Sequence, residues 1–303
     1  MEVAIIGSGS IGMLVTYYLS TIKNQPISVF TNRQGQTDLI NENGIKIIRG
    51  SEEAISKNIR ATRVDSISVD REIDLLILTV KSYQVEDVLK QLSERNVKVN
   101  SILFMQNGMG HIEYFPKLEV AEIAVAVVEH GAIRKNDFTV HHTGIGAIRW
   151  SYVQKGTLII ENFFEYCFPS YFAVQHESSW EELLQKKLVV NACINSLTSL
   201  MEVKNGALIA NKNCYSMLKM VFNEVMVALN VEDTTQHWNY VLEVCEKTAN
   251  NKSSMFIDVT NNRKTEVDSI IGYLIRRAQE SKVELSILPF LFQAIQAKEG
   301  KGE

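Results

Sequence analysis

The first half of the chain alternates short apolar runs, rich in β-branched residues, with stretches of helical periodicity. The apolar runs predict strands at Val3–Ile6, Ile27–Phe30, Leu75–Val80, Ile102–Met105 and Ile123–Val128. Helical patterns over 11–22 and 83–94 separate the earlier strands. Strands and helices that alternate at this spacing are typical of a parallel sheet with crossover helices. We therefore expect an α/β domain with a doubly wound sheet.

The pattern changes twice after residue 138. Between residues 139 and 174 apolar and polar residues alternate and glycines mark turns, which predicts antiparallel strands that close the far edge of the sheet. From residue 178 onward helical periodicity dominates. Helices are predicted over 214–229, 234–248, 265–280 and 286–298. We expect an α/β domain over 1–177, followed by an all-α domain over 178–303.

Composition and charge narrow the function classes. The chain is 46% hydrophobic and 22% charged, which is typical of a globular protein. Its formal net charge of -4 argues against a nucleic-acid partner. The four cysteines (Cys167, Cys193, Cys214 and Cys245) contain no Cys-x-x-Cys pair, so we expect reduced thiols and no metal site.

The apolar N-terminus resembles a leader segment only superficially. It carries Glu2 where a signal peptide needs positive charge, and glycines interrupt the apolar run. The longest apolar stretches elsewhere fall far short of the roughly 20 residues that span a bilayer. We expect a cytoplasmic protein without a membrane partner.

A glycine-rich hexapeptide directly follows the first predicted strand and precedes the first predicted helix. It reads Gly7-Ser8-Gly9-Ser10-Ile11-Gly12, the G-x-G-x-x-G pattern. In this context the first glycine makes the turn, the second admits a pyrophosphate and the third lets the helix pack on the strand. We predict that these six residues bind a dinucleotide in a Rossmann-type domain. A glycine-rich turn without a ligand is the alternative.

The end of the second predicted strand indicates which dinucleotide binds. An NAD site places an acid there for the ribose 2′-hydroxyl, whereas an NADP site supplies a cation. This strand runs into Thr31-Asn32-Arg33, and no acid occurs before Asp38. We predict NADPH/NADP+ as the cofactor, with Arg33 at the 2′-phosphate. The alternative is that Arg33 is a solvated loop residue.

Polar clusters follow two further strands. Lys81 comes after the strand at 75–80, and Asn107 comes after the strand at 102–105. Open α/β sheets bind ligands at the carboxyl ends of their strands. Lys81 is therefore a candidate for the cofactor phosphate or ribose, and Asn107 for the nicotinamide ribose or the substrate.

A polar stripe marks one helix of the second half. Lys187, Asn191 and Asn195 recur at i, i+4 and i+8, and the residues between them are apolar. Buried polar groups need partners, and a small hydroxylated carboxylate would supply them. Alternatively, Lys187 lies on the solvated edge and both asparagines are structural amides. Asn205 and Glu266 are further polar candidates in the second half. Alternatively, Asn205 is only a turn residue and Glu266 is an acid in the first turn of a helix, where the helix dipole favours it.

Several segments together resemble the ketopantoate reductase family, in particular its Bacillus-type members. They are GSGSIG at 7–12, LTVKSYQ at 78–84, QNGMG at 106–110, EHGAIR at 129–134, KLVVNACINSLTSL at 187–200, VKNG at 203–206 and SSMFIDVTNNRKTEVDSIIGYLIRRA at 253–278. The resemblance spans nearly the whole chain. It implies an oxidoreductase that reduces 2-dehydropantoate to pantoate with NADPH, in pantothenate biosynthesis, as a monomer or homodimer.

The resemblance also implies roles for single residues. Lys187 matches the proton donor and substrate anchor, and Glu266 matches a residue at the reacting centre or cofactor. The other matched positions are Asn107, Asn191, Asn195, Asn205 and Ser254 for the substrate, and Arg33, Lys81, Asn107 and Ala132 for the cofactor. Ser196 departs from the family, in which many members have proline. Two alternatives stay open: another NADP-dependent 2-oxoacid or β-hydroxyacid dehydrogenase, and a non-catalytic NADPH-sensing protein.

Overall fold

A computed structural model describes residues 1–22, 26–165 and 168–299. The chain forms two compact units. The first unit comprises residues 1–106 and 114–183, and the second comprises 107–113 and the chain from Leu184 onward. The domain division expected after residue 177 stays a prediction.

The first unit contains a large, mainly parallel sheet. The strands are β1 (Val3–Ile6), β2 (Ile27–Thr31), β3 (Ile45–Arg49), β4 (Glu52–Ser56), β5 (Ile59–Arg63), β6 (Glu72–Leu78), β7 (Lys98–Phe104), β8 (Glu122–Val128), β9 (Gly131–Arg134), β10 (Thr139–Gly144), β11 (Ala147–Gln154) and β12 (Ala173–His176). Eight of them form one sheet in the order β12-β11-β8-β7-β6-β1-β2-β5, and only the β8–β11 pair is antiparallel. The helices are α1 (Ser10–Ile22), α2 (Gln34–Asn43), α3 (Val85–Glu94) and α4 (Ile159–Phe164). The Rossmann-type fold predicted from the alternating pattern is confirmed.

The prediction for residues 139–174 is only partly correct. β11 does close the sheet as an antiparallel neighbour of β8, but β12 beyond it runs parallel to β11. β10 belongs to a separate sheet, in the order β4-β3-β10-β9, which the sequence pattern did not predict. Residues 159–164 form α4, whose first N–H groups donate to the buried carboxylate of Glu122. Strand periodicity identifies an exposed face, but it cannot identify the partner strand.

Residues 180–299 are mainly helical, as predicted. Its helices are α5 (Trp180–Val190), α6 (Ser196–Met201), α7 (Ala207–Ala210), α8 (Lys212–Leu229), α9 (Thr235–Lys247), α10 (Ser254–Thr260), α11 (Tyr273–Glu280) and α12 (Ile287–Gln296). In the second unit, α8 packs against α11 and α12, and Phe222, Leu274 and Leu288 are fully buried. π-helical turns occur at 191–195 and 268–272. In the described part of the chain, no helix has the length and apolar character needed to cross a membrane.

The described cysteines are free thiols: Cys193, Cys214 and Cys245. Cys193 and Cys245 are buried, and burial raises the pKa of both thiols. Cys167 lies outside the described residues. Thiolates are the reactive form of cysteine, so the two buried side chains act as small apolar core residues.

Two histidines of the first unit are buried in a hydrogen-bonded chain. Tyr18 Oη lies 2.8 Å from His142 Nδ1, and His142 Nε2 lies 3.1 Å from His130 Nδ1. The Gly146 N–H also donates to His130 Nδ1, at 3.1 Å. His130 Nδ1 is therefore an acceptor, which requires a neutral ring. Burial, together with the neighbouring His142, lowers the pKa of His130 to about 4, and burial also lowers the pKa of His142.

This pair should make the protein sensitive to mild acid. The unfolded chain takes up protons on these histidines near pH 6.5, whereas the folded chain resists protonation until lower pH. Proton uptake therefore favours unfolding, and the free energy of unfolding is expected to fall by about 2 kcal/mol from pH 7 to pH 5. Urea denaturation at both pH values measures this change. His142→Gln should reduce the change and His141→Gln should not; equal changes in all three proteins would contradict the assignment.

Candidate functional site

The three glycines of the loop after β1 occupy different environments. Gly7 has φ of +113°, and a Cβ there would lie 2.7 Å from the backbone nitrogen of Val80. A Cβ on Gly12 would lie 2.0 Å from the carbonyl oxygen of Gly7. A Cβ on Gly9 would meet none of the described residues within 4 Å. The first and third glycines thus allow β1, α1 and β6 to pack, and the second leaves backbone open to a ligand at the start of α1.

The glycine loop is fixed by a buried glutamine of α2. The hydroxyl of Ser8 donates to Gln36 Oε1 at 2.8 Å, and Gln36 Nε2 donates to the carbonyl oxygen of Ser8 at 2.9 Å. Gln36 Nε2 also donates to the carbonyl oxygen of Asp137, at 3.2 Å. With its side chain engaged in this way, Ser8 offers a ligand its backbone. The sequence pattern gave no signal for Gln36, because glutamine is common in exposed helices.

Arg33 lies between β2 and α2, as the cofactor prediction requires. Its side chain is 55% exposed, and its guanidinium pairs with the carboxylate of Asp137. Asp137 lies in the turn between β9 and β10, and its own side chain is 25% exposed. The 2′-phosphate role of Arg33 stays a prediction, and its ion pair is a finding that the sequence did not indicate.

Two more residues that the sequence analysis assigned to the cofactor, Lys81 and Ala132, lie in the first unit. Lys81 follows β6 and is partly buried, and its backbone N–H donates to Gln84 Oε1 at 3.2 Å. Gln106, which follows β7, donates from Nε2 to the carbonyl oxygens of Leu78 and Val80 at 2.9 and 3.2 Å. This amide ties the two strand ends together. Ala132, the remaining predicted position, lies in β9 opposite His142 of β10.

The polar stripe of the second unit crosses a change in helix type. Lys187 is partly buried in α5, whereas Asn191 and Asn195 are 5% and 8% exposed in the π-helical turn that follows. Asn195 Nδ2 donates to Asn191 Oδ1 at 3.2 Å. The sequence pattern predicted one helix here and gave no sign of the change to π-helical geometry. π-helical turns are rare and are frequently found at functional sites, because they shift side chains out of α-helical register.

Ser196 directly follows this turn. Its buried hydroxyl donates to the carbonyl oxygen of Ala192, one turn back. A proline at this position would have neither the hydroxyl nor the backbone N–H. The departure from the family pattern thus adds a hydrogen bond within the helix.

Asn107 and Glu266, 159 positions apart in the sequence, meet in the second unit. Asn107 Nδ2 donates to Glu266 Oε2 at 3.0 Å, and Glu266 is 6% exposed. The hydroxyl of Ser269 donates to the carbonyl oxygen of Asn107 at 2.8 Å. Gly108 has φ of +76°, and a Cβ there would lie 2.2 Å from the carbonyl oxygen of Ser269. Ser269, in the second π-helical turn, thus positions Asn107 beside the carboxylate; its sequence context gave no signal for this role.

The last two predicted residues have contrasting environments. Asn205 is 7% exposed and donates from Nδ2 to Thr248 Oγ1 at 2.8 Å, while its buried Oδ1 has no hydrogen-bond partner among the described residues. Such an atom indicates a missing donor, for example a ligand hydroxyl. Ser254 is exposed at the first position of α10. Its neighbour Ser253 is buried and caps α10 by accepting from the Phe256 N–H at 3.1 Å.

The sequence comparisons match this chain to ketopantoate reductases. Two family models match it: Ketopantoate reductase PanE/ApbA over residues 3–155, and Ketopantoate reductase PanE/ApbA C terminal over residues 179–299. The 2-dehydropantoate 2-reductase of Bacillus subtilis (strain 168) is 42% identical over 300 residues, which cover 99% of this chain and 98% of that protein. The 2-dehydropantoate 2-reductase of Listeria innocua is 32% identical over 302 residues, with 99% and 98% coverage.

Solved structures agree with the sequence comparisons. The crystal structure of panE from Bacillus subtilis superposes with a TM-score of 0.86 at 39% identity, covering 99% of this chain and 100% of that one. A ternary structure of D-mandelate dehydrogenase with NADH and anilino(oxo)acetate gives a TM-score of 0.84 at 21% identity, with 99% and 98% coverage. At that identity the second likeness concerns the fold alone.

Proposed function

The chain belongs to the ketopantoate reductase family, and from this membership we propose that it catalyses the NADPH-dependent reduction of 2-dehydropantoate to (R)-pantoate in pantothenate and coenzyme A biosynthesis. The observation that carries this proposal is full-length identity of 42% with a 2-dehydropantoate 2-reductase. Both family models match, so the similarity is not confined to the dinucleotide-binding half.

The residues of the first unit fit an NADP cofactor. The open position on Gly9 and the start of α1 suit a pyrophosphate. Arg33 supplies a cation after β2, where an NAD site would have an acid. Lys81 and Ala132 are the further contacts that we assign in this unit, and Asn107 and Glu266 are those in the second unit. When bound, NADPH supplies the hydride that reduces the C2 ketone.

The polar residues of the second unit supply the acid and the substrate contacts. Lys187 hydrogen-bonds the C2 oxygen through its ammonium and gives up a proton as negative charge develops on that oxygen. Glu266, buried beside Asn107, accepts a hydrogen bond from that amide and orients the substrate or the nicotinamide ribose. We assign the substrate contacts to Asn107, Asn191, Asn195, Asn205 and Ser254. The unpartnered Oδ1 of Asn205 is suited to accept from a substrate hydroxyl.

The decay of NADPH absorbance in the presence of 2-dehydropantoate tests the proposal. We expect turnover with NADPH that clearly exceeds turnover with NADH. A panel of 2-oxoacids, including phenylglyoxylate, distinguishes a ketopantoate reductase from another 2-oxoacid reductase. NADPH binding without turnover on any member of the panel would instead indicate a non-catalytic, NADPH-sensing protein.

Membership of the family also suggests a cellular location and an oligomeric state. We assign it to the cytoplasm, where NADPH is available for biosynthesis, and expect a monomer or a homodimer. Sedimentation velocity with and without NADPH distinguishes the two states.

Asn195→Ala is expected to raise KM for 2-dehydropantoate about tenfold, because a hydrogen bond to the substrate is lost at a buried position. The Kd of NADPH should change little. Steady-state kinetics and a fluorescence titration measure the two quantities. The matched control is Asn223→Ala, at an exposed position of α8. Unchanged kinetics combined with a lower Tm would show that Asn195 only supports the π-helical turn through Asn191.

A further inference from the structure

The turn between β9 and β10 is held beside the glycine loop. Gln36, which is 2% exposed, donates from one nitrogen to the carbonyl oxygens of both Ser8 and Asp137. The turn is also ordered internally, since the Lys135 N–H donates to the carbonyl oxygen of Thr139 at 2.9 Å. The backbone of Asp137 is therefore tied to the glycine loop through the buried side chain of Gln36.

The carboxylate of Asp137 lies near two guanidinium groups. Arg33 donates to its Oδ1, and Arg134 Nη1 lies 3.9 Å from the same oxygen. All three side chains are at least one-quarter exposed, so solvent and solutes reach the cluster. Two arginines around one acidic oxygen also suit the oxygens of a phosphate group, which guanidinium binds in the same manner.

We propose that the Asp137 carboxylate holds the place of the cofactor's 2′-phosphate, and that Arg134 is a second residue that binds this phosphate. The inference rests on the proposed function, in which Arg33 reads the 2′-phosphate. On binding, the phosphate displaces the carboxylate from Arg33 and also pairs with Arg134. Because carboxylate and phosphate repel each other, Asp137 lowers the affinity for NADPH, while Arg134 raises it.

NADH lacks the 2′-phosphate and leaves the Arg33–Asp137 pair intact. Arg134 and Asp137 therefore change the preference for NADPH over NADH, and they do not change the affinity for the part of the dinucleotide that both cofactors share. A search for an acid or cation directly after β2 does not find such residues, because Arg134 lies in β9 of the other sheet and Asp137 lies in the turn that follows β9.

Binding titrations with the full-length protein test the inference without turnover. Intrinsic fluorescence or calorimetry gives Kd for NADPH and NADH, and for the fragments 2′,5′-ADP and 5′-AMP, which differ only in the 2′-phosphate. Arg134→Ala is expected to weaken binding of NADPH and 2′,5′-ADP about tenfold. Asp137→Asn, which keeps the shape of the side chain and the backbone contact to Gln36, is expected to tighten both about threefold. NADH and 5′-AMP should change less than about twofold in either variant.

Lys135→Ala is the matched control, since it removes an exposed charge next to Arg134. It should alter the four constants less than about twofold. Equal losses for NADPH and NADH in Arg134→Ala would overturn the inference, because they would indicate a shared or structural role. Weaker NADPH binding in Asp137→Asn would also overturn it, since Asp137 would then order Arg33. Arg134→Lys should recover part of the affinity, and melting curves identify any variant that has lost its fold.

The two proposals fail in different ways. A wild-type protein that binds NADPH and does not reduce 2-dehydropantoate contradicts the proposed function alone. A wild-type enzyme with normal turnover, whose NADPH affinity is unchanged by Arg134→Ala, contradicts this inference alone.

Discussion

Lys187→Ala is expected to lower kcat by at least about two orders of magnitude while NADPH still binds. The ammonium stabilises the charge that develops on the C2 oxygen and supplies the proton, and the methyl group of alanine can do neither. NADPH affinity should persist because Lys187, which lies in α5, is not among the cofactor contacts assigned above. Stopped-flow absorbance under single-turnover conditions measures the reduction step directly, and a fluorescence titration measures cofactor binding.

The neighbouring lysine supplies a matched control for this experiment. Lys186 is exposed, and its Nζ lies 4.2 Å from the ring centroid of Tyr240. Lys186→Ala removes the same charge one position away and should leave kcat within about twofold. Ethylamine should partly restore turnover in Lys187→Ala, because its ammonium form can occupy the vacated space. Near-normal turnover in Lys187→Ala would indicate that Glu266 or water is the acid instead.

The sequence predicts best those features that depend on neighbouring residues. The strands around the glycine loop and the start of α1 follow from short-range periodicity and from three glycines at fixed spacing. Lys81 and Asn107 could be placed at strand ends for the same reason. The stripe formed by Lys187, Asn191 and Asn195 was visible because buried polar residues interrupt an apolar helix.

Features that depend on distant residues could not be predicted in this way. The second sheet pairs β3 with β10, which are about ninety positions apart, and nothing in either strand identifies its partner. The N-terminus of α12 is capped by Glu224 of α8, which accepts from the backbone N–H groups of Ile287 and Leu288 at 2.9 and 2.8 Å. Burial alone would raise the pKa of Glu224, but these hydrogen bonds hold it below its usual value.

The same limit applies inside the candidate site. Asn107 was assigned from its strand end and Glu266 from the family resemblance, but their hydrogen bond and the support from Ser269 needed the structure. The π-helical turn at 191–195 was hidden because asparagines at i and i+4 also fit an α-helix. Asp137 offered no signal at all, since an acidic residue in a hairpin turn is ordinary.

Gly9→Val is expected to weaken NADPH binding at least about a hundredfold with little loss of thermal stability. The two effects separate because the position that a Cβ would take is open in the folded protein, and the side chain meets a pyrophosphate rather than the fold. Calorimetric titration with NADPH and a melting curve of the free protein measure the two effects in the same sample.

Gly12→Ala in the same loop should show the opposite behaviour. A Cβ there would lie 2.0 Å from the carbonyl oxygen of Gly7, where α1 meets the glycine loop, so the melting temperature should fall whether or not a cofactor is present. The contrast excludes a general disturbance of the loop as the cause of lost binding in Gly9→Val. Unchanged NADPH affinity in a well-folded Gly9→Val protein would instead mean that the pyrophosphate lies elsewhere, and the cofactor assignment built on this loop would have to be withdrawn.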